Sequence, residues 1–319
     1  MKNIRSDYNF KRNNTIIEDY LSNNLSYSEL AKKYKLTKQR VAAIIKDMSK
    51  KGFTKRLDIK STKKERDSYL NRAIEIRESG VLKMSEQMFG EILKRDKQAK
   101  NYKGAVQVLG HLRIVYTRIA EETESLQEKI KLVEKAEESL KEVQSILKQN
   151  KKVFDLGNKN IKGDYAINNV HLASVVLFKA NLINTKDKKT ALKEALSLIN
   201  LAIKDLPGTQ AHKAWPLRLK GEILFNLGEL ESAVKTLLLG EQLIFTAYEQ
   251  EFKDDDQSEI RLNVWLSGIH LTMAKIASET NRKILANHYA SSVISVKDPQ
   301  NVLGERKKEA KRILAKLDI

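Results

Sequence analysis

The stretch from Leu25 to Met48 constrains this chain most, because caps and apolar stripes alternate along it in an order that short packed helices satisfy. Ser26 and Glu29 form an S-x-x-E capping box, with Leu25 and Leu30 at the flanking staple positions. Tyr27, Leu30, Ala31 and Tyr34 then recur at helical spacing. Thr37 opens the next helix as its N-cap, Leu36 and Val41 supply a second staple, and Val41, Ile44, Ile45 and Met48 form its buried stripe. Upstream, Ile16, Ile17, Tyr20 and Leu21 mark a third stripe on a helix for which Asn13 or Asn14 is the expected cap. Three short helices therefore close one small core.

The pattern E-L-A-x-x-Y-x-L-T-x-x-R-V-x-x-I, from Glu29 to Ile44, resembles the helix-turn-helix of region four of bacterial sigma factors and of many small regulators. The resemblance spans about Asn13 to Lys51, with Ala31, Leu36, Val41 and Ile44 matching the family pattern. Lys35 departs from it, since that turn position usually carries glycine to allow a positive φ. Ala42 and Ala43 depart too, standing where polar base-reading residues are common. The resemblance implies DNA binding through the second helix, whose N-terminal residues approach the base edges of a major groove. That places Thr37, Lys38, Gln39 and Arg40 closest, Lys46 further along, and Lys50 and Lys51 against the phosphates. Arg and Lys pair with guanine and Gln with adenine. The competing reading is a trihelical module that binds protein or caps the next domain, its basic residues solvated.

Charge is unevenly shared. The chain has 319 residues and a net charge of +18; residues 1–64 hold 17 Lys/Arg and 6 Asp/Glu, a net of +11 in one fifth of the sequence. Such asymmetry is the electrostatic footprint of polyanion binding. Cysteine is absent, which excludes disulfides, thiolate metal sites and cysteine nucleophiles. No apolar run approaches the roughly 18 residues of a membrane span, and the basic N-terminus has no apolar core behind it, so a cytoplasmic location is expected. Three prolines among abundant Leu, Ala, Lys and Glu favour an all-α chain.

The sequence divides into a basic arm (1–12), the helix-turn-helix domain (13–51), a linker (52–64) and a helical-repeat domain (65–319). In the last, Leu217, Gly221 and Leu224 precede Gly228, and Ala233, Leu237 and Gly240 follow it. The same arrangement recurs as Ala73, Ile76, Gly80, Ser85, Phe89 and Ile92, as Ala195, Ile199, Ala202 and Pro207, and as Met273, Ala274, Asn281, Ala286, Ala290 and Val293. A longer pair, Lys103–Glu121 and Leu126–Gln149, lies between. The spacing resembles the tetratricopeptide repeat, in which small residues let two helices approach closely. It implies a right-handed solenoid of about five helix pairs, closed by a cap helix over Glu305–Leu317. Val153–Ala166 and Glu249–Glu259 read as loops, and the aspartates Asp254, Asp255 and Asp256 lack calcium-loop spacing, so no metal is expected.

Repeat families of this kind bind extended peptides or proteins on the face lined by the first helix of each pair. Their inward positions fall here on Gln107, His111, Asn181, Asn184, Arg218 and Asn226. The domain order resembles that of peptide-responsive helix-turn-helix/TPR regulators, which implies double-stranded DNA and a peptide or protein ligand as partners, together with homodimerisation. The reading is a DNA-binding transcriptional regulator; the alternative is a repeat scaffold with no direct DNA contact. Catalysis is not expected: His111, His171, His212, His270 and His288 are scattered, and neither a phosphate-binding glycine loop nor a nucleophile elbow is present, so no cofactor is implied.

Overall fold

The computed structural model describes residues 12–13, 15–17, 19–20, 25–50, 61–155, 161–183, 185–250, 256–298 and 303–317. Among them every regular element is helical, and no helix is long and apolar enough to cross a membrane. The chain forms two compact units, Met1–Phe154 and Asp155–Ile319.

The first unit begins with the capped segment. Helices α1 (Tyr27–Lys33) and α2 (Lys38–Lys50) are joined by a four-residue turn. Ser26 Oγ accepts from Glu29 N at 3.3 Å while the Glu29 carboxylate accepts from Ser26 N at 2.7 Å, so the expected capping box is formed. Thr37 Oγ1 accepts from Arg40 N at 3.1 Å and caps α2. Ile16, Ile17, Leu30, Val41, Ile44 and Ile45 are buried together, each at most 4% exposed. Arg12 and Asn13 are themselves helical, so Asn13 is not the cap, and Asn14 lies outside the described residues. Asp19 fastens the preceding helical residues to α1: its carboxylate accepts from the Tyr34 hydroxyl and pairs with Lys33 Nζ, both at 2.6 Å.

Four longer helices follow in this unit: α3 (Lys63–Glu78), α4 (Leu82–Gln98), α5 (Tyr102–Glu122) and α6 (Leu126–Gln149), with one further turn, α7 (Lys151–Phe154). Thr62 and Glu65 form a second capping box, so α3 starts inside the segment expected to be linker. Residues 51–60 of that segment lie outside the described set.

The second unit holds α8 (Ile161–Ala180), α9 (Thr185–Asp205), a 3-10 turn at Gln210–Lys213, α10 (Ala214–Asn226), α11 (Leu230–Gln250), α12 (Asp256–Glu279), α13 (Lys283–Ser295) and α14 (Gly304–Ala315). Both expected loops are shorter than read. Asp155 Oδ1 accepts from Ile161 N at 3.0 Å where α8 starts. Helices α11 and α12 close in on the acidic cluster, of which Asp254 and Asp255 lie outside the described residues. Leu237, Ile244, Ile269 and Met273 anchor one core, and Ala274, Ala286, Ala290, Val293, Ala310 and Ile313 another, which holds α14 against α12 and α13.

Among the described residues one turn geometry is used five times. After α1, α3, α4, α10 and α12 a single residue takes positive φ: Lys35 (53°), Gly80 (81°), Lys100 (53°), Gly228 (87°) and Asn281 (55°). In each, the next residue's N–H reaches back five residues to a helical carbonyl, as in Leu36 to Ala31 (2.9 Å), Val81 to Ile76 (3.2 Å) and Glu229 to Leu224 (2.9 Å). This is a Schellman closure, which satisfies carbonyls that the helix end would leave bare. Counted from the positive-φ residue, the seventh position before is Ala73, Gly221 or Ala274, and the fifth after is Ser85, Ala233 or Ala286. These are the positions at which the paired helices touch. Ser85 Oγ donates to the Ala73 carbonyl at 3.0 Å, and a Cβ on Gly221 would stand 2.6 Å from Leu237 Cγ.

Gly221→Ala loses about 1 kcal/mol by thermal or urea unfolding, because overpacking of about 1–3 kcal/mol exceeds the roughly 1 kcal/mol gain in helix propensity. Gly90→Ala in α4, where an added Cβ meets nothing within 4 Å, gains about 0.5–1 kcal/mol. In the head, Lys35→Gly relieves a left-handed cost of about 1–2 kcal/mol against Gly's entropic cost of about 0.5–1 kcal/mol, so hydrogen exchange of α1 and α2 slows.

Candidate functional site

The first candidate surface is the outer face of α2. Its inward stripe is used up in the core, and the remaining residues turn to solvent. Thr37, Lys38, Gln39, Arg40, Ala43 and Lys46 are all exposed. The side chains of Lys38, Gln39, Arg40 and Lys46 have no hydrogen-bond or ion-pair partner among the described residues, so their donors are available to a ligand. Thr37 is committed through its Oγ1 to capping. Lys50 closes the helix but its side chain is not described, and Lys51 lies outside the described residues. The positive φ at Lys35 shows that this turn needs the conformation glycine usually supplies there, although the side chain is lysine.

The second candidate is the polar stripe that α5 presents to α3. Gln107 and His111 stand one turn apart on α5, and both meet α3 arginines. Arg66 Nη1 donates to Gln107 Oε1 at 3.2 Å, and Arg77 Nη1 lies 2.8 Å from His111 Nδ1. An arginine can only donate, so Nδ1 is the acceptor and the neutral ring carries its proton on Nε2. The ring stacks on buried Phe89 with centroids 5.1 Å apart. Burial, then the charges of Arg77, Arg113 and Arg66, hold the His111 pKa down to about 4.

Beneath this stripe lies a buried ionic hub. Asp96, fully inaccessible, accepts from Arg66 Nη2 at 2.7 Å and from Arg95 Nη1 and Asn101 Nδ2, both at 2.9 Å. Arg95 Nη2 also donates to the Ser61 carbonyl at 2.5 Å, fixing the residue before the α3 cap. Arg66, Asn101, Gly104 and Gln107 edge a cleft of 610 Å³. Sequence reasoning identified Gln107 and His111 but none of Arg66, Arg77, Arg95, Asp96 or Arg113.

In the second unit the expected positions do not converge on one ligand. Arg218 pairs with Glu222 at 3.1 Å on its own helix, and its aliphatic stem lies over Gly268, 3.0 Å from where a Cβ would stand. Asn226 Nδ2 donates back to the Glu222 carbonyl at 2.9 Å, a helix-end bond that occupies one donor. Asn181 is exposed in the turn after α8, and Asn184 lies outside the described residues. Near Arg218 sits Arg306, whose guanidinium donates to the Val264 carbonyl and, at 2.9 Å, to Ser267 Oγ.

His270, read as one of the scattered histidines, lies between Glu241 (Nε2 to Oε1, 2.5 Å) and Ser292 (Nδ1 to Oγ, 2.8 Å). Acid, imidazole and hydroxyl thus stand in the order used for nucleophilic catalysis. Ser292, however, lies inside α13, where the neighbouring N–H groups bond helical carbonyls and leave no pair aimed at an oxyanion. The chain of bonds ties α11, α12 and α13 together. Among the described residues no three His, Asp or Glu gather as for a metal ion.

The depressed His111 pKa has a signed consequence. An unfolded histidine titrates near 6.5; in the folded unit the ring stays neutral to about pH 4. Unfolding therefore takes up a proton between those values, so the first unit's stability is fully present above pH 6.5 and falls as pH drops towards 4. In His111→Asn, which keeps an acceptor for Arg77, thermal midpoints between pH 7 and 4.5 decline less than in the parent. No protein-family model matches the chain, and no curated protein matches it.

Proposed function

We propose that the chain is a DNA-binding regulator whose head reads duplex DNA through α2 and whose helix pairs bind a peptide or protein. The observation that carries this is the exposed, unpartnered row Lys38, Gln39, Arg40 and Lys46 on a helix whose other face is locked into a core. At 13 residues α2 is about 20 Å long, enough to lie in a major groove with its N-terminal turn at the base edges. The net charge of +11 over residues 1–64 supports the same reading. Lys38 and Arg40 suit guanine and Gln39 suits adenine, whereas exposed Ala43 offers only a methyl contact.

The helix pairs support a tetratricopeptide-like second function, since three share one register of small residues around one turn geometry. A ligand there regulates the head only by binding one arrangement of the protein better than another. In a homodimer this would alter the spacing of two recognition helices.

Fluorescence anisotropy of the full chain with random duplex DNA at several salt concentrations tests the reading. Tight binding with a steep negative salt slope is expected, and Lys38→Ala with Arg40→Ala weakens binding and reduces the slope by about 2, one unit per lost phosphate-range cation. No binding at low salt, or a double variant identical to the parent, would make the head a structural module and the chain a protein scaffold.

A further inference from the structure

The large apolar side chains that the second unit leaves exposed are unevenly placed. Among the described residues they are Leu201 on α9, Leu238, Leu239 and Phe245 on α11, Ile284 and Leu285 on α13, and Ile167 alone on α8. All but the last lie on the second helix of a pair. The first helices α10 and α12 expose none, and the face they share is filled from within. Arg218 Cδ and Arg306 Nη1 lie 3.0 Å and 3.3 Å from where a Cβ on Gly268 would stand, and Arg306 bonds the Val264 carbonyl and Ser267 Oγ. The bare apolar surface is therefore carried by second helices, away from the first-helix face on which repeat families hold peptides.

Two features of that surface fit each other. Between α11 and α13 lies an apolar slot of 80 Å³, floored by Met273 and Ile276 of α12 and walled by Val234 and Leu238 on one side and Leu285 and Tyr289 on the other. It has room for one branched aliphatic side chain. Beside the slot, and outside its lining, Ile284 is 84% exposed at the start of α13. Knob and slot lie on one face of one protomer. A two-fold axis between them seats each copy's Ile284 in the other's slot, an isologous contact that closes on itself.

The charges repeat the match. Arg282 and Lys283 flank the knob, and their side chains have no hydrogen-bond or ion-pair partner among the described residues. Glu231, one turn from Val234 at the end of the slot, is 83% exposed and paired with Lys235, itself 74% exposed. Such a solvated pair is weak and exchangeable. Each knob thus brings free cations to an acid beside the partner's slot. The area suffices as well. With 21 and 13 residues and a width of about 10 Å each, α11 and α13 present a projected face of about 500 Å². Ridged by side chains, such a face approaches the roughly 800 Å² per partner of a stable complex.

We propose that the second unit forms a two-fold dimer through α11 and α13, with Ile284 of one protomer in the slot that Leu238 and Leu285 wall in its partner. This rests on the homodimer invoked for the regulator, and it names a face that leaves the first helices uncovered.

Sedimentation velocity of the full chain over a concentration series is the test. A monomer–dimer equilibrium that goes no further than the dimer is expected. Ile284→Lys, at an exposed position, is expected to keep the parent's helical circular dichroism and to weaken the dimer at least about a hundredfold, since the change counts twice in a two-fold contact. Glu231→Lys and Lys283→Glu are each expected to weaken it, and the double variant to recover most of that loss. A chain monomeric at every concentration overturns the assignment and leaves α11 and α13 to another protein or a lipid surface. An Ile284→Lys variant that dimerises like the parent overturns it too, as do assemblies that grow past the dimer, which need an open, heterologous contact. DNA binding by a chain that stays monomeric removes this proposal and leaves the regulator reading. A dimer lost in Ile284→Lys, in a chain that ignores DNA, does the reverse.

Discussion

The close approach of two helices across a three-residue turn is the constraint on which the helical pairs depend. A Schellman closure brings the chain back immediately, so the second helix must lie against the first with its axis near the minimum separation that side chains permit. Only small residues fit where the backbones pass: Ala73 opposite Ser85, and Gly221 beneath Leu237. The larger buried residues Ile76, Phe89 and Ile92, or Leu224 and Leu237, then fill the wedge that opens on either side. Turn and small-residue register are one device, since a longer turn would not demand the small residues and large residues would not permit the turn.

The two units fill the space between helices differently. In the second, apolar cores run through α10 to α14, with the Glu241–His270–Ser292 chain of bonds as a polar tie. In the first, α3 meets α5 through polar bonds, Arg66 to Gln107 and Arg77 to His111, beside the buried ion pair that Arg66 makes with Asp96 of α4. Buried ion pairs of this kind add little net stability because desolvation cancels much of the Coulomb gain, but they fix geometry, since each displaced partner leaves a bare charge. The result is a polar stripe on α5 whose Gln107 and His111 are both held by α3 arginines.

What was legible in the sequence follows from the range over which each signal acts. Ser26, Glu29 and Thr37 cap within three residues, and the small residues around Gly80 and Gly228 recur at a fixed spacing, so local pattern was enough to find them. The all-helical class followed from the same patterns. The Schellman turn at Lys100 was hidden because lysine carries no preference for positive φ, whereas the one at Lys35 was marked only by the helix-turn-helix resemblance, whose turn position usually holds glycine. The ionic contacts were hidden for another reason. Arg66 meets Asp96 across 30 residues and Arg77 meets His111 across 34, and no periodicity in a highly charged chain selects those partners from the many available. Asp19, which latches on to Tyr34 across 15 residues, belongs to no local pattern that would mark it.

The ionic hub also reaches the chain just before α3. Eleven residues separate the end of α2 at Lys50 from the cap of α3 at Thr62, and the chain is grasped at the near side of that cap, where Arg95 holds the Ser61 carbonyl. Arg95 is held in turn by Asp96, which holds Arg66, which bonds Gln107 on α5. A contiguous set of bonds thus connects the α5 stripe to the residue from which the chain runs back towards the head. Contiguity alone transmits nothing; coupling requires that the bonded network have a second arrangement and that a ligand favour one of the two. Gln107 is the outermost member of that network, its amide oxygen held by Arg66.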